Sequence, residues 1–224
     1  PKARRRTPLD FAEITIRKPS QRFRLLEGLR ERSRYPMTRV GPFQKKETYP
    51  KVTDPRNISN ASHYQYANLA AYTQLFKSEI LKHQHWYVPG MSPSQIQEAI
   101  SRMTRTTHKK KKNQLLATDI SRMDGSRPPQ GAELYRRALL RFYHYSEHIE
   151  IEKLMDLDIN QNCVSEHGIK YNSGSTQLSG SVTTTDSNTL LNAFWSYCAI
   201  RDRVEEEKLR ETPVQSLKWI GLKC

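Results

Sequence analysis

Two carboxylates stand five positions apart in the middle of the chain, at Asp119 and Asp124. Residues 114–120 have the apolar alternation of a short strand, which would place Asp119 at the carboxyl end of that strand. Because five is an odd spacing, a continued strand would point the two side chains to opposite faces, so a turn is expected through residues 121–123 beside Gly125. A carboxylate held in this way suits Mg²⁺, which prefers oxygen ligands. The alternative is that Asp119 caps a turn and Asp124 is solvated, and the spacing alone favours that alternative.

A second group of polar side chains follows a Ser-Gly pair further along the chain. Ser179 and Gly180 predict a loop that flexes beside a ligand, because glycine adopts backbone angles that other residues resist. Thr184 and Asn188 are four positions apart and therefore share one face of a helix. Their hydroxyl and amide groups suit the recognition of a sugar hydroxyl. The alternative is an ordinary helix start, since Ser and Thr favour helix caps.

Cationic residues surround a proline-bounded turn closer to the amino terminus. Arg56 can bind a phosphate through two parallel hydrogen bonds, and neighbouring lysines can add point charges. Glu47 is predicted to hold one of these cations in place. The alternative is a solvated charged loop, which is the commoner outcome for such runs. The lysines are Lys45, Lys46 and Lys51.

The composition favours a polyanionic partner. The chain has 37 Lys and Arg against 23 Asp and Glu, a formal net charge of +14. Nucleic acid is the first expectation for such a balance of charges, and an acidic membrane surface is the second.

The sequence contains no apolar run approaching the ~18 residues of a membrane helix. Its three cysteines are odd in number and widely spaced, which argues against a disulfide framework.

The elements that would position these groups are helices interrupted by short strands. Phe23, Leu26 and Leu29 recur at helical spacing, and Ser92 with Gln95 has the pattern of a capping box. Non-adjacent short strands among helices predict an α+β fold. Further helices are predicted over residues 62–83, 132–155 and 182–209, and strands over residues 114–120, 163–171 and 216–224.

Three of these segments, in this order, resemble motifs F, A and B of viral RNA-dependent RNA polymerases. The residues around the aspartates, Ser121-Arg122-x-Asp124-Gly125, are most similar to nodavirus-like and tombusvirus-like positive-strand enzymes. The chain has Thr48 where the family often has a lysine, which leaves open whether Lys45, Lys46 or Lys51 meets a triphosphate. The matching patterns are F-x-K-x-E with D-P-R-x-I at residues 43–58, D-x-x-x-x-D-G at residues 119–125 and S-G-x-x-x-T-x-x-x-N at residues 179–188.

The resemblance implies a right-hand polymerase fold with fingers and part of the palm. The family's next motif, Gly-Asp-Asp, would follow Cys224, so the thumb and the second metal-binding carboxylate are expected outside this chain. The chain by itself is therefore expected to be inactive. The implied division is an N-terminal segment with fingers at 1–113, a palm strand with motif A at 114–128, a return to the fingers at 129–178, and the motif B loop and helix with the first strand of the motif C hairpin at 179–224.

The resemblance also implies a reaction: addition of ribonucleoside monophosphates from NTPs to an RNA 3′ end on an RNA template, by two-metal-ion catalysis. Asp119 and the Ile120 carbonyl would bind Mg²⁺, with Mn²⁺ as an alternative. Asp124 and Asn188 would recognise the ribose 2′-OH, supported by Thr184. The remaining implied contacts are a mobile loop at Ser179 and Gly180, and a triphosphate site at Arg56, Lys45, Lys46 and Lys51 supported by Glu47.

The implied partners are template RNA, nascent RNA, NTPs and other viral replication proteins. The implied location is the host cytoplasm, in a replication complex attached to an intracellular membrane through parts outside this chain. The alternative function is a non-enzymatic, basic viral RNA-binding or capsid-like module. That module would show no dependence on Asp119.

Overall fold

In the computed structural model the chain is described over residues 19–30, 40–109 and 117–202. These ranges have a mixed helix and strand structure with two small antiparallel sheets. Single 3₁₀ turns lie at Leu81–His83 and Tyr145–Glu147. The strands are β1 (Gly41–Gln44), β2 (Asn57–Asn60), β3 (Asn162–Val164) and β4 (Lys170–Asn172). The helices are α1 (Pro19–Arg30), α2 (His63–Glu79), α3 (Pro93–Lys109), α4 (Met123–Ser126), α5 (Pro129–Phe142), α6 (His148–Asp156) and α7 (Thr184–Arg201).

Each sheet is a two-stranded hairpin. In the first hairpin Gly41 pairs with Asn60 and Gln44 with Asn57, so the basic segment at residues 45–56 forms its loop. The second hairpin pairs β3 with β4, and a parallel bridge from Val40 to Cys163 joins the two hairpins. The side chains of Val40, Cys163 and Leu178 are buried together beneath this junction. The basic loop is thereby attached to the segment that leads into residues 179–183.

The main core forms around α2. Its apolar face contributes Leu69, Tyr72 and Phe76 to a cluster shared with α5 and α6. The Tyr143 hydroxyl donates to the Tyr72 carbonyl oxygen across 2.6 Å, which satisfies one buried hydroxyl of the aromatic core. Where α1 crosses α2, a Cβ at Gly28 would lie 2.7 Å from Ala67 Cβ, and this close approach requires a glycine.

The predicted helix over residues 132–155 is wrong, because the structure has two helices there. α5 begins earlier, at Pro129, and ends at Phe142, while α6 begins at His148. The extended backbone of Tyr143, with ψ 156°, ends α5. The His144 side chain then accepts a hydrogen bond from the Ser146 amide at 3.3 Å and starts a new 3₁₀ turn. A local cap therefore overrides the continuous apolar spacing.

Other elements differ in detail from the sequence prediction. Phe23 is 58% exposed, because α1 buries Leu25 on the side that faces α2. Residues 117–120 take part in no strand within the described ranges, and residues 163–171 form a hairpin instead of one strand. The capping box is present: the Gln95 amide donates to Ser92 Oγ at 3.3 Å, and the Ser92 amide donates to Gln95 Oε1 at 2.8 Å.

Several predicted segments lie outside the described residues. These are residues 114–116 of the first predicted strand, residues 203–209 of the last predicted helix and the predicted strand over residues 216–224. In the described part of the chain, every helix is too short or too polar to cross a bilayer.

Candidate nucleotide-binding site

Asp124 and Asn188 meet at the centre of the candidate site. Asp124 lies on α4 and Asn188 lies one turn into α7, and Asn188 Nδ2 donates to Asp124 Oδ1 across 2.7 Å. The turn predicted before Asp124 exists: Arg122 adopts a left-handed backbone with φ 52°, and the Ser126 amide closes α4 on the Arg122 carbonyl at 3.0 Å. The Asn188 Oδ1 atom is buried and has no hydrogen-bond partner within the described residues. An acceptor is therefore left inside the site.

Asp119 lies ahead of this turn with an exposed side chain, and Ile120 is half-buried. In the described ranges Asp119 forms no hydrogen bond or ion pair, and no three His, Cys, Asp or Glu side chains come together as metal ligands. A free carboxylate has the right donor chemistry for Mg²⁺. Asp124 Oδ1 is already occupied by Asn188. The described residues thus offer one suitable ligand for Mg²⁺ and not a full set.

The Ser179-Gly180 loop lies directly against β2. The Ser59 amide donates to Ser179 Oγ at 3.0 Å, and the Gly180 amide donates to the Ser59 carbonyl at 3.0 Å. A Cβ at Gly180 would lie 2.6 Å from Asn60 Oδ1 and 2.7 Å from the Ser59 carbonyl oxygen. Gly180 does not have a positive φ. Close approach, and not an unusual backbone angle, is what requires the glycine here.

Thr184, the first residue of α7, forms its side-chain hydrogen bonds with the loop and not with Asp124. Its hydroxyl is within hydrogen-bonding distance of two carbonyl oxygens, those of Leu178 at 2.8 Å and Ser181 at 3.0 Å. These contacts satisfy backbone acceptors ahead of the first turn of α7. Thr184 therefore supports Asn188 indirectly, by fixing where α7 begins.

The basic loop is organised around Glu47. This carboxylate pairs with Lys45 and lies 3.5 Å from an Arg56 guanidinium nitrogen. The Tyr49 hydroxyl donates to Glu47 at 3.2 Å and accepts from the Arg56 amide at 3.1 Å. The hydrogen bond from Lys45 is the largest of the interactions that hold the pKa of Glu47 below its ordinary value. Lys46 and Lys51 are exposed on the same loop.

An ion pair connects the basic loop to the turn before α4. Arg122 Nη2 lies 3.1 Å from Asp54 Oδ2, and both side chains are exposed. Exposed pairs of this kind contribute about 0–1 kcal/mol. The contact brings the loop that carries Arg56 next to the segment that carries Asp124. Two of the three motif segments are thereby neighbours, and the Ser179-Gly180 loop on β2 is the third.

A buried carboxylate that the sequence analysis did not predict lies beside this loop. Asp158 has no exposed surface. Its carboxylate accepts hydrogen bonds from Gln65 at 2.6 Å, Ser181 at 2.9 Å and Thr183 at 2.7 Å. Burial raises the pKa of Asp158, while the hydroxyl donors of Thr183 and Ser181 and the charge of Arg127 act in the opposite direction. No local pattern marks a single aspartate as buried.

Arg127 forms hydrogen bonds with residues 175–177, the segment that precedes the Ser179-Gly180 loop. It is 2% exposed, and its guanidinium donates to the carbonyl oxygens of Ser175 at 2.8 Å and Thr176 at 3.0 Å. A third bond, from Nη1, reaches Gln177 Oε1 at 2.5 Å. Burial lowers the pKa of the guanidinium, and the charge of Asp158 opposes that shift. Arg127 lies three residues after Asp124, but nothing in the sequence distinguishes it from the exposed arginines.

A second buried carboxylate anchors the first turns of α7. Asp186 is 2% exposed, accepts from the Tyr87 hydroxyl at 2.5 Å and lies 3.3 Å from Lys77 Nζ. Burial is the main cause of a strongly raised pKa at Tyr87, and the Asp186 carboxylate adds to it, so Tyr87 stays a donor. The helix that carries Asn188 is thereby fixed to α2 and to the segment that follows it.

Comparison with known proteins agrees with these motifs. No protein-family model matches the chain. It is 35% identical over 216 residues to the RNA-directed RNA polymerase of Atlantic halibut nervous necrosis virus, covering 96% of this chain and 21% of that protein. The polymerase of Greasy grouper nervous necrosis virus is 33% identical over 216 residues, which again cover 96% of this chain and 21% of that protein. That of Pariacoto virus is 31% identical over 190 residues, 84% of this chain and 18% of the relative.

The chain is therefore homologous to viral RNA-directed RNA polymerases. Its similarity to these nodavirus enzymes confirms the resemblance drawn from its three motifs. The chain spans about a fifth of the length of the curated relatives it matches.

Proposed function

We propose that this chain is the fingers and partial palm of an RNA-dependent RNA polymerase that adds ribonucleoside monophosphates to an RNA 3′ end. In this proposal residues 1–113 and 129–178 belong to the fingers, and residues 114–128 and 179–224 belong to the palm. The names of its homologues support the reaction class. The hydrogen bond between Asp124 and Asn188 is the observation that carries the proposal.

This pair has the chemistry to select a ribose. The Asn188 amide nitrogen donates to Asp124, and the amide oxygen, Oδ1, is a buried acceptor with no partner among the described residues. A ribose 2′-OH can donate to such an acceptor, whereas a deoxyribose cannot. Leaving a buried acceptor unpaired costs about 1–3 kcal/mol, which corresponds to roughly 5- to 150-fold in favour of ribonucleotides.

The basic loop supplies the charge for a triphosphate. Arg56 can take two phosphate oxygens through its planar guanidinium, while Lys45, Lys46 and Lys51 act as point charges. Glu47 orders Lys45 and Arg56 by pairing with both. The same cations can contact the backbones of template and nascent RNA, and such binding weakens with salt.

Asp119 is the proposed ligand for Mg²⁺, with Mn²⁺ as an alternative, and the Ile120 carbonyl would assist. When bound, a divalent ion lowers the repulsion between the triphosphate and the attacking 3′ hydroxyl. The exposed position and free carboxylate of Asp119 suit this role. We place the polymerase in a viral replication complex with other replication proteins in the host cytoplasm.

Ribose selection is tested with Asn188→Ala in the complete polymerase polypeptide that carries this chain. The incorporation ratio of NTP to dNTP should fall about 5- to 150-fold. Asn192→Ala is the matched control, since Asn192 lies one turn later on α7 and forms no hydrogen bond among the described residues. That variant should retain the wild-type ratio.

Two results would count against the proposal. Unchanged selectivity in Asn188→Ala would remove the role of this contact in choosing the sugar. Absence of any templated incorporation by the wild-type polymerase would favour the non-enzymatic RNA-binding module.

A further inference from the structure

The loop at residues 179–183 is held from inside the protein as well as by β2. Asp158 is fully buried and joins two separate elements. Gln65 of α2 donates to one carboxylate oxygen at 2.6 Å, and Ser181 and Thr183 of the loop donate to the other at 2.9 and 2.7 Å. Both oxygens of the carboxylate are therefore satisfied, and two of the three donors come from the loop.

The Thr183 hydroxyl connects Asp158 to the Asp124 segment. It donates to Asp158 and accepts from Gln177 Nε2 at 3.1 Å. Gln177 in turn accepts from Arg127 at 2.5 Å through its side chain, and its backbone amide donates to the Asp124 carbonyl at 2.8 Å. A continuous chain of hydrogen bonds thus runs from the buried carboxylate to the residue that Asn188 contacts.

The same network determines where α7 begins. Thr183 is buried and immediately precedes Thr184, the first residue of α7. The Ser187 amide donates to the Thr183 carbonyl at 2.8 Å, within the first turn of α7. Asn188 follows one residue later. A displacement of Thr183 would therefore be transmitted through the helix start to the Asn188 side chain.

We propose that Asp158 and Thr183 are positioning residues that hold residues 177–183 in the one arrangement in which Asn188 reaches Asp124. They touch neither nucleotide nor metal in this proposal. If some of these hydrogen bonds were lost, the Asp158 carboxylate and the Arg127 guanidinium would stay buried without all of the interactions that offset the cost of burying their charges. The loop is thereby restricted to one set of partners. The consequence for sugar selection rests on the function proposed above, whereas the effect on the loop does not.

The test changes Thr183, because Asp158→Ala would remove all three hydrogen bonds and could unfold the chain. Thr183→Val keeps the shape of the side chain and removes only the hydroxyl. Thr183→Ser restores the hydroxyl and is the rescue variant. Thr185→Val, at an exposed position two residues later, is the matched control.

The first measurement is backbone hydrogen exchange over residues 177–187 in the complete polypeptide. In the structure, the Gly180 amide donates to the Ser59 carbonyl oxygen, and the Ser181 amide donates to the Leu178 carbonyl oxygen. Thr183→Val should raise their exchange rates about fivefold or more, and Thr183→Ser and Thr185→Val should stay within about twofold of wild type. Unchanged exchange in Thr183→Val would overturn the proposal. So would an equal rise in Thr183→Ser, because the hydroxyl would then be irrelevant.

The second measurement is the NTP to dNTP incorporation ratio of the same variants. Thr183→Val should lower it about fivefold while RNA affinity stays unchanged, and Thr183→Ser should return it to the wild-type value. Faster exchange with unaltered selectivity in an active polymerase would overturn the link from loop to sugar. A wild-type protein without incorporation would defeat the proposed function alone, since the exchange comparison still decides whether Thr183 holds the loop.

Discussion

Asn188 and Asp124 lie 64 positions apart in the chain, and their side chains are 2.7 Å apart in the fold. Neither residue reaches the other by local structure. Asp124 is presented by the left-handed turn at Arg122, and Asn188 by a helix that starts from the loop on β2. The contact therefore depends on both supports, and weakening either should loosen it.

The first prediction concerns the energy of this contact. A double-mutant cycle with Asp124→Ala and Asn188→Ala should give a coupling free energy of unfolding of about 0.5–3 kcal/mol, because the two side chains touch. Urea denaturation of the wild type, both single variants and the double variant measures it. The cycle of Asp124→Ala with Asn192→Ala should be additive within about 0.5 kcal/mol. Additivity of the first cycle would contradict the observed hydrogen bond.

The second prediction concerns the close approach at Gly180. Gly180→Ala should lower the free energy of unfolding by about 1–3 kcal/mol, because the new Cβ would press on Asn60 and on the Ser59 carbonyl. Gly125→Ala is the matched control, since nothing lies within 4 Å of a Cβ there. Thermal or urea unfolding of both variants gives the comparison. Equal stability of the two would mean that the loop does not rest on β2.

The third prediction concerns the basic loop. Arg56→Ala should reduce the slope of log affinity against log salt for single-stranded RNA by about 0.7, the value for one lost phosphate contact. Arg137→Ala, an exposed arginine on α5 paired with Glu133, should leave the slope unchanged. Fluorescence anisotropy over a salt series measures both. Equal slopes in wild type and Arg56→Ala would remove Arg56 from the RNA interface.

The fourth prediction concerns Asp119. In the complete polymerase, Asp119→Asn should reduce nucleotide incorporation at least about a hundredfold, because an amide is a poor ligand for a hard divalent ion. RNA affinity should change little. Asp156→Asn, on the exposed end of α6, serves as the control and should incorporate nucleotides normally. Normal incorporation by Asp119→Asn would refute the metal assignment.

The fifth prediction concerns pH. Burial raises the pKa of Asp158 in the folded state, so folding favours the protonated carboxyl. Its contribution to stability is fully present below the ordinary aspartate pKa of about 3.9 and is lost as pH rises through the raised folded value. Asp158→Asn cannot titrate. We therefore expect the difference in the free energy of unfolding, wild type minus Asp158→Asn, to fall as pH increases across this window. Urea denaturation of both proteins at several pH values measures this difference. A difference that rises with pH would contradict a raised pKa at Asp158.

Local chemistry made several features predictable. The capping box of Ser92 and Gln95 forms because both partners are within three residues. The basic segment that was predicted to turn between prolines forms the loop of the first hairpin. The prediction of a single helix over residues 132–155 is wrong, and the cause is also local. The cap formed by His144 and the buried hydroxyl of Tyr143 outweigh an apolar spacing that would have continued.

The amino-acid sequence alone predicted the similarity to viral RNA-directed RNA polymerases, the three motifs and the residue types that are proposed to bind a ribonucleotide. Only the tertiary structure decided which carboxylates are buried and what holds the loop. Asp158 and Arg127 have no periodic or spacing signature, because their burial and their partners depend on segments up to 93 positions away. A hydrogen-bond network of this kind forms only when distant elements pack together. In the sequence its members therefore cannot be distinguished from charged residues on the surface.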